Sequence, residues 1–295
     1  MDYIKKGVDY KLFNFPEGLR FQISEPIDQF VNWLLINLDS FFDAISMFIL
    51  TIFSGIEFVL NVIPWWVSII ALFYVGWKLY SLRTGFLLSF MLFAIGVFGL
   101  WDMMLYTLAI VILSVIVSVI LGLPIGILMA KSNTTKRIFM PILDAMQTMP
   151  SFVYLIPAVM LFGFGKVPAV FATTTYALPP LIRLTYLGIS KVNKEVIEAG
   201  LSFGSTPKQM LFKIEFPQAL STIMTGVNQT TMMAMAMVVI SSMIGAEGIG
   251  EQVLISIRRL EVGQGFQSGL AIVFLAIILD RVLQGTANKF KETEG

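Results

Sequence analysis

Glu198-Ala199-Gly200-Leu201-Ser202-Phe203-Gly204-Ser205-Thr206-Pro207-Lys208-Gln209-Met210-Leu211-Phe212-Lys213-Ile214-Glu215-Phe216-Pro217 forms a polar island between long apolar segments. Its punctuation predicts two short helices around Gly204. Thr206 can cap the second helix by offering its side-chain oxygen to a first-turn amide, and Pro207 suits the first helical position, where a missing N–H costs nothing. Gln209, three residues after the cap, completes a capping box. Pro217, which has no amide hydrogen, predicts the stop. Met210, Leu211 and Ile214 then share one face, while Lys208, Lys213 and Glu215 are left to solvent. A short helix carrying such a stripe between membrane segments has a surface to offer a soluble partner.

Outward from this island the chain is apolar. Of 295 residues, 57% are hydrophobic and 13% charged, which excludes an ordinary soluble domain and predicts an all-α integral membrane protein. With 20 basic and 19 acidic residues the net charge is +1, and the basic residues are scattered among short loops. No basic face accumulates for nucleic acid. The chain holds neither cysteine nor histidine, so thiolate metal sites and imidazole catalysis are excluded. Gly200-Leu201-Ser202-Phe203-Gly204 matches the hydrolase nucleophile elbow, but that chemistry needs a histidine base. No Gly-rich loop ending in Gly-Lys-Ser/Thr occurs either. The chain therefore reads as no enzyme, with no cofactor or metal, and it cannot hydrolyse ATP through such a loop.

Residues 1–30 are polar and mixed in charge and read as a poorly fixed tail. From Phe41 to Ile63 the polar residues Asp43, Ser46, Thr51, Ser54, Glu57 and Asn61 recur at helical steps. That stripe favours an amphipathic helix at the membrane surface, ahead of a transmembrane helix with its stripe against protein. Residues 1–64 thus form an N-terminal tail and amphipathic helix, bounded by Pro64. Seven candidate spans come next, at about 65–82, 85–100, 102–130, 138–163, 167–190, 218–243 and 266–285, each near the ~20 residues a bilayer core requires. Residues 65–100 hold two additional spans, residues 101–286 a core of five with a loop at 195–217, and residues 287–295 a C-terminal tail. Lys78 and Arg83, then Lys131, Lys136 and Arg137, then Lys191, Lys194, Lys208 and Lys213, then Arg281, Lys289 and Lys291 all fall on one side. The positive-inside rule makes that side cytoplasmic, with the N-terminus outside and the C-terminus inside a multi-pass protein of the cell membrane.

Ser114, Ser118, Gly122, Gly126 and Ala130 repeat every four residues, a small-residue face for close helix packing. Pro150, Pro157, Pro168, Pro179 and Pro180 interrupt the two spans before the loop, and each missing amide loosens the hydrogen-bond ladder. Their clustering with Gln147, Thr148 and Tyr154 points to a translocation path. Asn228 and Gln229 sit at membrane depth, where amides face protein or water. Met232 belongs to a methionine-rich run suited to adaptable packing or to a gate that repacks. Gln147, Thr148, Pro150, Tyr154, Asn228, Gln229 and Met232 are therefore the path candidates. Arg183 either snorkels or pairs with Asp144.

The opening stretch also resembles the cytoplasmic loop of ABC importer permeases, whose pattern is Glu-Ala-Ala, three residues, Gly, nine residues, Ile, one residue, Leu-Pro. Glu198, Ala199, Gly204, Ile214 and Pro217 fall in step, with Gly200 and Phe216 as the departures. Pro141 to Pro150, Phe152 to Pro157 and Ala177 to Arg183 resemble permeases for glycine betaine and related osmoprotectants. The resemblance implies a type I ABC importer transmembrane domain, with the five-helix core, two preceding helices and N-terminal amphipathic helix placed as above. It implies that Glu198, Ala199, Gly204, Lys208, Met210, Leu211, Ile214 and Pro217 couple the chain to an ABC ATPase subunit. It further implies an extracytoplasmic substrate-binding protein and a second permease copy as partners, within membrane lipid. The solute it implies is glycine betaine or a related quaternary ammonium compound that answers osmotic stress. Choline, carnitine or an amino acid is the alternative within the class. A secondary transporter or channel is the alternative outside it, opposed by the coupling-loop pattern.

Overall fold

The computed structural model describes residues 23–292. The chain divides into a leading unit that ends at Asp43 and a main unit from Ala44 onward. The leading unit carries helix α1, Ser24–Asn37, in which Ile27, Phe30 and Leu34 alternate with polar residues at helical steps. Residues 24–30 therefore belong to a helix, which corrects the expected tail there; residues 1–22 lie outside the described part. No residue of α1 is buried, and its Phe30 and Trp33 rings stack at 6.4 Å.

The main unit is built from α2 (Asp39–Val62), α3 (Trp65–Leu79), α4 (Leu82–Val97), α5 (Trp101–Lys131), α6 (Asn133–Thr148), α7 (Leu155–Phe162), α8 (Lys166–Ser190), α9 (Lys194–Ser202), α10 (Pro207–Met210), α11 (Phe216–Ser241), α12 (Ile249–Arg259) and α13 (Val262–Glu292). Among the described residues four helical stretches are long and apolar enough to cross a membrane: α2, α5, Pro207–Ile244 and Val262–Lys289. A fifth is the bent pair α6 and α7. The expected spans over α3 and α4 are apolar helices of 15 and 16 residues, about 22–24 Å long against a core of about 30 Å. Helix α2 buries Ile49 and Phe53, and Phe53 meets the Tyr106 ring edge-on at 5.3 Å. Two residues of its polar stripe have partners within the protein: Asn61 donates to the Glu57 carbonyl at 2.8 Å, and Glu57 pairs with Lys166 at 3.4 Å.

The centre of the core is α8, packed between α5 and α11. The small-residue face of α5 performs the packing expected of it. A Cβ at Gly126 would come within 2.6 Å of Thr185 Cβ, and one at Gly122 within 3.0 Å of Leu181, so these two glycines set how closely α5 and α8 approach. Ser114 Oγ donates to the Val170 carbonyl at 3.4 Å. Pro179 and Pro180 are buried inside an unbroken α8.

Two sequence boundaries are corrected. The segment expected as one span over 138–163 is two helices bent by 112°. Met149 and Pro150 both take extended backbone, because proline disfavours a helical residue before it and supplies no amide for the next turn. Pro217 does not end the loop helix. Leu211–Glu215 winds as a π-helical turn, with the Phe216 amide reaching the Leu211 carbonyl five residues back. Pro217 then opens α11 at its first turn, where an amide is dispensable. Helix α12 lies between the expected spans 218–243 and 266–285, where no element was expected. It is stabilised by Glu251 in its first turn and Arg258 and Arg259 in its last, each charge opposing the helix dipole.

Candidate functional site

The segment between α8 and α11 begins with Asn193, whose side chain accepts from the Glu195 amide at 2.9 Å and caps α9. Helix α9 ends where Gly204 takes φ +73°. There the Gly204 amide bonds to Leu201 O at 2.9 Å and the Ser205 amide to Gly200 O at 3.1 Å. This pair of bonds is the Schellman arrangement, which places a left-handed residue just past the helix. The expected capping box is present: the Thr206 amide donates to Gln209 Oε1 at 2.8 Å, and the Gln209 amide to Thr206 Oγ1 at 3.4 Å. Helix, glycine turn and capped helix therefore fold from local rules alone.

The face of the second helix is not the one the sequence suggested. Met210 is 4% exposed and Ile214 is half-buried. A Cβ at Gly200 would lie 2.7 Å from Ile214 Cδ1 and 2.8 Å from Met210 Cε, so both side chains close over α9 of their own chain. Leu211 is half-buried against the cluster of Leu181, Ile189, Ala219 and Ile223. The residues that stand outward are Phe203, 91% exposed, with Phe212 at 65% and Leu201 beside them. Glu198, Ala199 and Lys208 are exposed as well, and Pro217 is half-buried. Glu215, read as solvated, is buried and bonds through both carboxylate oxygens to Lys131 Nζ, at 2.6 Å through Oε1. The π turn rotates it inward, and Lys131 in the last turn of α5 neutralises it. Segment, α5 and α11 are thereby joined.

The path candidates divide in two. Gln147 and Gln229 line one cleft of about 330 Å³ with Met140, Pro180, Arg183 and Leu184. Arg183 forms an ion pair with Asp144 on α6, the second of the two readings of its charge. Thr148 and Pro150 are exposed at the break between α6 and α7. Tyr154 is buried and Asn228 half-buried, each with a partner inside the chain. The Tyr154 hydroxyl donates to the Met146 carbonyl, and its ring meets Tyr176 edge-on at 5.7 Å. Asn228 Nδ2 donates to Asp280 Oδ1 at 2.8 Å, where Gln284 Nε2 also donates at 2.6 Å. Met232 is half-buried, away from the cleft. Asp280 was missed, although an acid inside the last apolar segment is a legible signal.

Apolar helices long enough to cross a membrane, with a capped two-helix segment between α8 and α11, define a helical membrane protein. The chain belongs to the family of binding-protein-dependent transport system inner membrane components, whose model matches residues 122–287. It is 43% identical over 284 residues to the glycine betaine transport system permease protein OpuAB of Bacillus subtilis, covering 92% of this chain and 96% of that one. It is 44% identical over 263 residues to the glycine betaine/proline betaine permease ProW of Escherichia coli, covering 88% and 74%. It is 44% identical over 271 residues to the glycine betaine/carnitine permease GbuB of Listeria monocytogenes, covering 90% and 95%. A chain of the MetNI methionine ABC transporter in an inward-facing conformation matches with TM-score 0.57 at 20% identity, over 66% of this chain and 96% of that one, which shows the shared fold. As a permease of an ABC importer the chain works with an ATPase and a substrate-binding protein and is itself no enzyme.

Proposed function

We propose that this permease carries glycine betaine or a related quaternary ammonium osmoprotectant, by alternating access along a path formed between two copies of the chain. The observation that carries the reading is the outward apolar surface of Phe203, Phe212 and Leu201, on a segment whose second helix, bearing Phe212, runs on into α11. Glu198, Ala199, Gly204 and Lys208 belong to that surface or its turn, and the ATPase takes it up. Met210, Leu211, Ile214 and Pro217 act behind it as the packed support. Movement of the ATPase would then reach α11 as rigid-body motion, since helix and segment share one rod. Gln147, Thr148, Pro150 and Gln229 line the path, with Met232 as gate. In this reading the N-terminus lies outside and the C-terminus in the cytoplasm, an orientation that the lysine and arginine distribution supports.

The names of three relatives support the solute, and so does the chemistry of the cleft. Its amides are neutral and its one ion pair cancels itself, so a small zwitterion can pass without a fixed counter-ion. The test is ATP-driven uptake of labelled glycine betaine, choline, carnitine and proline into vesicles holding permease, ATPase and binding protein. Uptake of glycine betaine ahead of the others is expected. Failure to carry it would overturn the solute and leave the family membership intact.

A further inference from the structure

At the end of α5 remote from Lys131, about 40 Å along the helix axis, two clefts meet at Asn61 and Asp102. One, of about 490 Å³, is walled by Trp65, Phe93 and Trp101. The other, of about 360 Å³, is walled by Glu57, Tyr106, Glu247 and Glu251. Both fall within the size range of small-molecule sites. We propose that this joined cleft binds an amino-alcohol ammonium cation, of the choline or ethanolamine type, apart from the transport path.

Three observations carry this. Beside the cleft, two of its wall residues already hold an ammonium group of the chain's own: Lys166 Nζ lies 5.0 Å over the Tyr106 ring, 4.8 Å over that of Phe53, and pairs with Glu57. Carboxylate and ring faces at this place therefore recognise ammonium, and Asp102, Glu247 and Glu251 exceed what one lysine neutralises. Second, Tyr106 is 6% exposed, yet its hydroxyl is buried at the cleft with no hydrogen-bond partner. The Glu247 backbone lies beside that hydroxyl. A buried hydroxyl without a partner is costly, and the hydroxyl or ester oxygen of an amino alcohol would satisfy it. Third, among the described residues no three carboxylates converge as metal ligands. Spread negative charge beside Trp65 and Trp101 suits a bulky cation of low charge density. A zwitterion with its own carboxylate would be repelled.

The cation has two sources, a free solute and the ethanolamine headgroup of a phospholipid, and the test separates them. The purified permease–ATPase complex, without binding protein, is placed in nanodiscs of phosphatidylglycerol alone or with phosphatidylethanolamine, and choline chloride is titrated calorimetrically against sodium chloride of equal ionic strength. Saturable binding in the ethanolamine-free discs is expected, weakened about tenfold by Asp102→Asn or Glu247→Gln, as loss of one charge contact of about 1.4 kcal/mol implies. Tyr106→Phe, which keeps the ring and removes the hydroxyl, should weaken it several-fold. Suppression of choline binding by phosphatidylethanolamine supports the headgroup as occupant; indifference to that lipid supports the free solute. Absence of saturable binding, or wild-type affinity in Asp102→Asn and Tyr106→Phe together, overturns the proposal. So does an equal loss in Gln229→Leu, which would place the cation in the transport path. None of these readings depends on uptake.

Discussion

The hydroxyl of Tyr154 donates to the carbonyl of Met146, the acceptor to which a helix would bring the amide of residue 150. That residue is proline and has no amide hydrogen. The tyrosine therefore replaces a bond the proline removes, and it does so at the 112° bend between α6 and α7. The aromatic residue that the sequence singled out there is a brace of the turn.

Tyr154→Phe keeps the ring against Tyr176 but leaves the Met146 carbonyl without its donor. A loss of about 1–2 kcal/mol is expected. It should be read as a lower apparent melting temperature of the purified complex by several degrees, with uptake reduced in parallel. An unchanged melting curve would show that water or lipid serves that carbonyl equally well.

Gly204 has open space around its missing Cβ but φ +73°, so a substitution there is penalised by backbone conformation alone. Gly204→Val should cost at least about 1–2 kcal/mol and uncouple ATP hydrolysis from uptake in proteoliposomes. Gly204→Asn, which tolerates the left-handed region, should retain most coupling. Equal behaviour of the two variants would argue that the turn is irrelevant to transmission.

Phe203 and Phe212 are the exposed aromatic residues of the segment, while Met210 is buried within it. Phe203→Asp and Phe212→Asp should each lower retention of the ATPase on an affinity-tagged permease more than tenfold, the loss expected for an aromatic anchor of about 2 kcal/mol. Met210→Asp should lower the yield of folded permease instead. Full retention of the ATPase in the Phe203→Asp and Phe212→Asp double variant would rule out this face.

Removal of Lys131 from its pair with Glu215 leaves that carboxylate buried without its cation. Lys131→Met is expected to destabilise by roughly 1–3 kcal/mol, less than for a fully buried pair, because Lys131 is partly exposed. The double variant with Glu215→Gln should recover part of that loss, since it removes the stranded charge. Thermal unfolding of wild type, both single variants and the double variant forms the cycle. Strict additivity would mean that the pair ties nothing together.

The native chain lacks cysteine, so single cysteines report orientation. Position 258 should react with an impermeant thiol reagent on whole cells and position 208 only after permeabilisation. The opposite pattern would invert the assigned topology.

The sequence by itself determined the membrane class, the glycine turn at Gly204, the Thr206–Gln209 capping box and the small-residue packing of α5. Each rests on a run of apolar residues or on a side chain that meets backbone within one helical turn, so spacing alone decides it. The tertiary structure decided which way the helices face. One π turn at Leu211–Glu215 adds a residue to the helix and rotates the residues after it by about 100°. That rotation belongs with Glu215 reaching Lys131, 84 residues away in sequence. Asn228 donates to Asp280, 52 residues on, and Tyr154 to the Met146 carbonyl beside the bend. Such choices depend on partners distant in sequence or on a bend, and no local period records them.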